Sequence, residues 1–213
     1  MPNTINNKEI REFRGIKNVR IAQITKDDST AYTTGAVQHL AGAAKLSRSA
    51  EYSQETKYYD NIAALVVGAE GDDTLTIDVS ALDLATQALI TGKEYDETND
   101  CILEGEPEIR YFALGYETSD TAGKTRKVWR YKVQFSFPDE EYSTKNADTE
   151  SNGQTLECKS IYPTHNFTYK IGEVAKTASK KAVVISDEGS YAGFDEFLDS
   201  VVTPDQIYPV SES

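Results

Sequence analysis

Residues 128–137 read VWRYKVQFSF, and this stretch decides the fold class of the chain. Aromatic and aliphatic side chains occupy every second position, while Arg130 and Lys132 are among the polar side chains between them. Alternation with a period of two residues predicts a long β-strand with one face in the core and a charged face in solvent. Pro138 has no backbone N–H to donate to a neighbouring strand, so we expect the strand to end there.

A second aromatic stretch lies just upstream, at residues 109–117 (IRYFALGYE), and a polar loop containing Gly123 separates the two. Two long strands joined in this way predict a β-hairpin. The rest of the chain is also rich in short alternating or apolar stretches. Further strands are expected at residues 18–24, 37–49 (one or two short strands), 55–67 with a bend or bulge at Asp60-Asn61, 74–79, 156–162, 165–169 and 182–185.

Two helices are expected beside these strands. Residues 80–90 carry an apolar stripe at helical spacing, with Ser80 as the N-terminal cap and Gly92 as the C-terminal one. Residues 194–201 also have helical spacing, and Thr203-Pro204 ends that element. The prediction is a mainly β, single domain over residues 1–213, with a flanking helix and a short C-terminal helix. A mobile N-terminal arm (about 1–7) and a long acidic loop (about 139–153) complete it.

The composition limits the classes of function. Thirty-five acidic residues against 22 basic ones give a net charge of −13, so the chain does not have the basic excess of proteins that grip phosphate. The same acidity also fits a protein that is simply kept soluble. Hydrophobic residues make up 38% of the chain, but there are 13 tyrosines, which suit wet interfaces between subunits.

Charge is segregated along the sequence. Residues 94–108 contain seven acidic and no basic residues, whereas residues 124–132 contain five basic and no acidic ones. Such segregation can orient identical subunits head to tail, because each copy offers both signs on different surfaces. Two solvated loops that merely differ in charge remain the alternative.

No pattern predicts catalysis or a bound cofactor. Gly123-Lys124-Thr125 lacks the first glycine of a phosphate loop, and Cys101 stands where a calcium loop at residues 96–100 needs glycine. The histidines and cysteines are not spaced as metal ligands. We therefore expect no enzyme activity, no cofactor and no metal. The longest apolar run is residues 62–67, so we also expect no signal peptide and no membrane span.

Several sequence words resemble one family. YFALGYET (111–118), VWRYKVQFSFPDEE (128–141), YYDN (58–61), ALDLATQALITGKEYDE (81–97) and VVTPD (201–205) are similar, in order and spacing, to the major tail proteins of long-tailed, non-contractile bacteriophages. The resemblance implies a two-sheet β-sandwich or barrel-like tail tube fold with a flanking helix. It also implies hexameric rings that stack into a hollow tube, and it brings no catalytic residue.

The function implied by this resemblance is that of a virion structural protein. Its partners would be other copies of itself and tail proteins such as the tape measure and tail terminator. DNA would pass without specific binding, and no membrane would be involved. The protein would be made in the host cytoplasm and reside in the virion tail. Candidate contact residues between subunits are Tyr58, Tyr59, Arg126 and Lys127. The alternative function is a carbohydrate-binding β-sandwich, which exposed aromatics such as Tyr58, Tyr59 and Tyr111 would serve.

Overall fold

The computed structural model describes residues 11–59, 62–138 and 153–210, and it is mainly antiparallel β. The predicted N-terminal arm (about 1–7) and acidic loop (about 139–153) lie outside the described residues, apart from Gly153. In chain order the elements are β1 (Phe13–Asp27), β2 (Tyr32–Thr34), β3 (Gln38–His39), β4 (Ala43–Tyr59), β5 (Ile62–Val79), α1 (Leu84–Thr91), β6 (Glu94–Asp96), β7 (Cys101–Leu103), β8 (Phe112–Asp120), β9 (Thr125–Phe135), β10 (Gln154–Ser160), β11 (Phe167–Ile171), β12 (Val174–Ala178), β13 (Ala182–Ser186) and α2 (Pro204–Ile207).

One curled sheet holds most of these strands, in the order β2-β1-β8-β9-β10-β5-β4. The predicted hairpin of two aromatic strands is confirmed as β8 and β9, in the middle of this order. Beyond β9 the sheet divides, because the first half of that strand pairs with β13 and the second half pairs with β10. The mainly β fold class with a flanking helix is therefore confirmed.

The central strand β9 is buried on both faces, and the predicted charged outer face is wrong. Leu114 pairs with Arg130 while Phe112 pairs with Val133, so β9 carries one extra residue between these pairs. This bulge moves alternate side chains to the other face of the sheet. Before it, Trp129 lies in one core; after it, Val133 lies in another. Arg130 is buried as well and forms an ion pair.

The second core, around Trp129, is closed by residues 194–203. Side chains from three alternate positions of β9 donate hydrogen bonds to main-chain carbonyls there: Lys127 Nζ to Phe194 and Asp195, Trp129 Nε1 to Phe197, and Tyr131 Oη to Val202. A helix at residues 194–201 needs those carbonyls for its own N–H groups. The segment accordingly forms turns, and the C-terminal helix is α2, which begins where the sequence predicted a helix to end.

Helix α1 flanks the core that contains Val133, and it begins later than predicted. Its cap is Asp83, whose Oδ1 accepts a hydrogen bond of 2.6 Å from the backbone N–H of Thr86. Ser80 instead accepts a hydrogen bond from the backbone N–H of Gly42. Gly92 ends the helix at φ 71°, as the sequence predicted, because a left-handed residue there favours glycine.

Strands β4 and β5 form a hairpin that extends well beyond β10, the strand next to β5 in the sheet. The sequence predicted a single extended element over residues 55–67 with a bend at Asp60-Asn61. The chain instead reverses its direction between Tyr59 and Ile62, which pair directly with each other. Asp60 and Asn61 themselves lie outside the described residues. Only Asp73–Val79 of β5 also pairs with β10, so residues 62–72 pair with β4 alone within the part of the chain that the structure describes.

The contact between Lys127 and the C-terminal segment gives a stability prediction. Lys127→Met keeps the apolar stem but removes a charged donor to two carbonyls, so we expect a loss of about 1.5–3 kcal/mol in the free energy of unfolding. Urea unfolding followed by the fluorescence of Trp129, the chain's one tryptophan, measures it. Arg126→Met is the matched control, because Arg126 is exposed and should cost less than about 1 kcal/mol. Equal losses in both variants would contradict this account.

Candidate assembly arm and its anchor

The outer part of the β4–β5 hairpin, residues 51–59 and 62–72, is called the arm here. The nine residues 51–59 are extended and span about 30 Å. The described side chains of residues 51–59 and 65–70 are all exposed. Large apolar side chains are among them, and the ones most exposed lie at the tip, with Tyr59 at 65% and Ile62 at 69% of full exposure. The others are Tyr52, Tyr58, Leu65, Val66 and Val67.

Apolar side chains occur on both faces of the arm. Val66 pairs with Thr56, whereas the next residues along β5, Leu65 and Val67, pair with Lys57 and Glu55. Successive residues of a strand point to opposite faces, so each face presents apolar surface to solvent. A two-stranded hairpin without a packed face is marginally stable in water. The arm therefore has the apolar composition of a buried hairpin, although in the single chain its side chains are exposed to solvent.

Tyr52 gives the arm some internal support. A Cβ atom built on Gly68 would lie 2.8 Å from the ring carbon Cζ of Tyr52 and closer still to its hydroxyl, so the ring lies directly over the glycine backbone. An aromatic ring across a glycine compensates for the missing side chain of that glycine. The ring nevertheless remains 60% exposed, so this contact leaves most of it uncovered.

Asp73 anchors the arm where it leaves the sheet. Its side chain is 1% exposed, and its Oδ2 accepts hydrogen bonds of 2.8 Å from Arg48 Nε and from Arg130 Nη1. Lys181 Nζ lies 3.4 Å from Oδ1 and 2.8 Å from Glu70. The carboxylate thus ties β5 to β4 and β9 and to the residue before β13. We call these five residues the anchor cluster.

The charges in the anchor cluster shift one another's pKa values. Burial raises the pKa of Asp73, but the hydrogen bond from Arg48 and the charges of Arg48, Arg130 and Lys181 outweigh it, so that pKa is lowered overall. Burial acts to lower the pKa of Lys181, and Glu70 and Asp73 together raise it. Both groups are therefore held in their charged forms. Three cations share two carboxylates, so the cluster carries one net positive charge.

A groove of about 560 Å³ lies beside the root of the arm, and we call it the basic groove. Its floor and walls come from β1, β4, β8, β9 and β13, and its apolar lining includes Ile16 and Leu46. Arg126 is at its rim, with the guanidinium 4.9 Å from the ring centre of Phe13. Its lining contains four cationic residues and no acidic one: Lys45, Arg48, Arg126 and Arg130.

The residues predicted as contacts lie in two separate places. Tyr58 and Tyr59 are exposed at the tip of the arm, and Arg126 is exposed at the start of β9. Lys127 follows Arg126 in the chain but is only 8% exposed and contacts the C-terminal segment, so the expectation of an exposed charge at Lys127 is wrong.

Sequence reasoning missed the arm and its anchor. The apolar run at residues 62–67 was visible, but only the reversal at residues 60–61 turns it into an exposed ribbon. The available signal is the pair Asp60-Asn61, because both residue types favour turns and the pair lies between two stretches that could form strands. The pairing of Asp73 with Arg130 has no local signal, because the two residues are far apart in the chain.

The aromatics named for sugar binding do not form one platform. Tyr58 and Tyr59 are consecutive in a strand and so point to opposite faces of the arm. Tyr111 is half-buried at the start of β8, and the ammonium group of Lys132 lies 4.7 Å from its ring centre. A sugar-binding face requires exposed rings on one surface, which these three residues do not supply.

The described residues give no indication of a metal site or a membrane helix. Within residues 11–59, 62–138 and 153–210, no three or more His, Cys, Asp or Glu side chains are grouped so as to hold a metal ion. None of the helices in that part of the chain has the length and apolar character needed to cross a membrane. The thiol of Cys158 is buried, and burial raises its pKa to about 12.

Comparison with known proteins assigns no family. No family model matches the chain, and no curated protein matches it. Among solved structures, it is similar to a chain of the six-fold symmetrised cryo-EM structure of the anti-feeding prophage (AFP) baseplate. That similarity has a TM-score of 0.27 and 11% identity, and it covers 79% of this chain and 92% of the other. A likeness of this degree carries no argument about fold or function.

The anchor cluster predicts a specific response to mutation and pH. Asp73→Asn leaves three cations around a neutral side chain, so we expect a loss of about 3–5 kcal/mol in the free energy of unfolding at neutral pH. The pKa of Asp73 in the folded chain lies below its ordinary value of 3.8. Its contribution is therefore fully present above about pH 4 and is lost as the pH falls through the lowered pKa. Urea unfolding from pH 7 to pH 2.5, followed by Trp129 fluorescence, measures both effects.

Glu70→Gln is the control for this experiment. The Glu70 carboxylate is 47% exposed, so its loss should cost less than about 1 kcal/mol although it contacts the same lysine. The Asp73→Asn variant should also lose less stability than the parent chain between pH 5 and pH 2.5. A parent-like stability for Asp73→Asn at pH 7 would show that the cluster does not stabilise the fold.

Proposed function

We propose that the chain is a structural subunit that self-assembles, and specifically the major tail tube subunit of a long-tailed, non-contractile bacteriophage. In this proposal, hexameric rings of the protein stack into the tube of the virion tail. The observation that carries the self-assembly is the arm, with seven large apolar side chains exposed on two faces. The sequence words shared with major tail proteins support the more specific identity.

The energetics of the arm support burial against neighbouring copies. Full burial of a side chain such as Ile62, Leu65 or Val66 is worth about 1.5–3 kcal/mol. A monomer gains nothing from these residues, and contiguous exposed apolar surface marks an interaction site. Many identical copies in a symmetric assembly would each insert one arm and cover one, so the same surface is used repeatedly.

The overall charge suits a channel through which DNA passes. With a net charge of −13, a wall of these subunits would repel phosphate rather than retain it. The proposal includes no catalytic step, cofactor or metal. The other partners proposed are tail proteins such as the tape measure and tail terminator, with DNA passing through without specific binding. No observation favours the carbohydrate-binding alternative, since Tyr58, Tyr59 and Tyr111 do not share a surface.

Polar substitutions on the arm test the proposal. In the variant Leu65→Thr/Val66→Thr, each face of the arm loses an apolar side chain while the high strand propensity of the residues is kept. We expect about 100-fold weaker self-association, because two contacts of roughly 1–2 kcal/mol are lost per arm. Sedimentation velocity over a concentration series and negative-stain microscopy measure it. The melting temperature should stay within about 2 °C of the parent, because these side chains contact no core.

The matched control places threonine at polar positions of the same arm. Ser53→Thr/Gln54→Thr changes both faces without removing apolar surface, so rings or tubes should form as in the parent. Parent protein that stays monomeric at every concentration, without rings or tubes in the microscope, would overturn the proposed function. Normal tubes from Leu65→Thr/Val66→Thr would show that the apolar surface of the arm does not mediate assembly.

A further inference from the structure

We propose that the basic groove of one copy binds the loop of residues 103–109 of a second copy, through both charge and apolar contact. This inference rests on the proposed function, because it assigns one contact within the self-assembly. The loop reads LEGEPEI and is exposed along its whole length; we call it the glutamate loop. It begins at Leu103, the last residue of β7, and precedes β8.

The groove carries an excess of positive charge. Arg48 and Arg130 already share Asp73, but Lys45 and Arg126 have no acidic partner among the described residues. Both of these side chains are exposed. An anionic group entering the groove would therefore meet two uncompensated charges at the rim and a net positive anchor cluster beneath it.

The glutamate loop has the complementary charge. Glu104 lies against Lys93, and Glu108 is paired with Arg110 at 3.0 Å. Glu106 has no ion-pair partner in the described part of the chain, and the loop contains no basic residue. The loop thus presents one free carboxylate and two weakly held ones in a short exposed segment.

The apolar parts of the two surfaces also correspond. Leu103 and Ile109, at the two ends of the glutamate loop, are 56% and 68% exposed. The groove exposes Phe13 at its rim and Val184 on the side of β13, and both are more than half exposed. A contact that combines apolar surface with a charged rim is the usual composition of a protein interface.

Geometry assigns the contact to two different copies. The groove uses the first half of β9, from Arg126 to Arg130. The glutamate loop lies near the other end of β9, where Glu108 and Ile109 line one small cleft together with Gln134. Arg126 and Gln134 are eight positions apart along the strand, which is about 26 Å. One copy therefore cannot fill its own groove, and a contact between opposite ends of β9 joins successive copies head to tail.

Charge reversal on each side, followed by mixing, tests the contact. The groove variant is Lys45→Glu/Arg126→Glu, and the loop variant is Glu104→Lys/Glu106→Lys. Each should need at least about tenfold more protein to assemble, because like charges then face each other in every contact. Melting temperatures should be unchanged, since the substituted side chains are exposed. Lys159→Glu/Lys176→Glu changes the net charge as the groove variant does, at exposed sites elsewhere, and should assemble like the parent.

Mixing is the decisive step. In an equimolar mixture, the groove variant's acidic loop meets the loop variant's basic groove, and the basic loop meets the acidic groove. Both contacts again join opposite charges, so the mixture should assemble at the concentration that the parent needs, although each component alone needs at least about tenfold more protein. Sedimentation velocity at 50 mM and 300 mM salt measures this, and the higher salt should weaken assembly of the parent. Reversal variants that assemble normally, or a mixture that stays dissociated, would overturn the contact.

These outcomes are distinct from failure of the proposed function. Tubes formed by the groove variant at the same protein concentration as the parent would overturn this contact and leave the tail tube proposal in place. Self-association that is lost on reversal and regained on mixing, without rings or tubes in the parent, would support the contact and contradict the tube subunit. A parent chain that is monomeric at all concentrations would overturn both.

Discussion

The carboxylate of Asp73 is the interaction on which the rest of the structure depends. It is buried at the point where the β4–β5 hairpin leaves the sheet, and it holds Arg48 of β4, Arg130 of β9 and Lys181 beside β13. A buried carboxylate is tolerated only when such partners compensate for its lost hydration. Since those partners come from strands on both branches of the sheet, the same carboxylate links the two branches at the base of the arm. The central strand β9 supplies both Arg130 and the bulge that lets it face this cluster.

The sequence predicted individual strands and helix ends better than it predicted how the strands pair with one another. The β8–β9 hairpin, the strands predicted at residues 74–79 and 156–162, and Gly92 as a helix cap follow from local patterns. The structure has the hairpin and the cap, and the two predicted strands fall in β5 and, shifted by two residues, in β10. The bulge in β9 could not be predicted, because it depends on a pairing mismatch with β8 rather than on the alternation itself. For the same reason Arg130 was assigned to solvent although it is buried. Lys127 was assigned to solvent because of its charge, and the carbonyls that accept its hydrogen bonds lie far away in the chain. Of the candidate site, Tyr58 and Tyr59 were named as exposed, but the arm that carries them requires the chain reversal at residues 60–61.

The residues that stabilise the fold are separate from the residues that we propose for assembly. The core residues lie in two clusters on opposite faces of the sheet, and the C-terminal segment closes one of them through the carbonyls of Phe194, Phe197 and Val202. The arm and the glutamate loop contribute nothing to either cluster, yet they expose apolar side chains beside charge. A chain can keep such surface when it gains free energy elsewhere by covering it. In the proposed assembly, the acidic excess would keep free subunits apart until complementary surfaces meet.

Hydrogen exchange on the arm tests the central claim most directly, namely that its apolar surface is covered only by other copies. The account predicts that backbone amides of residues 51–59 and 65–72 exchange rapidly in dilute monomer, because both faces of the ribbon are open to water. In concentrated, assembled protein the same amides should exchange at least about tenfold more slowly, while those of β8 and β9 are slow in both states. Arm amides that exchange at the same rate in both samples, although sedimentation shows the second to be assembled, would contradict the account.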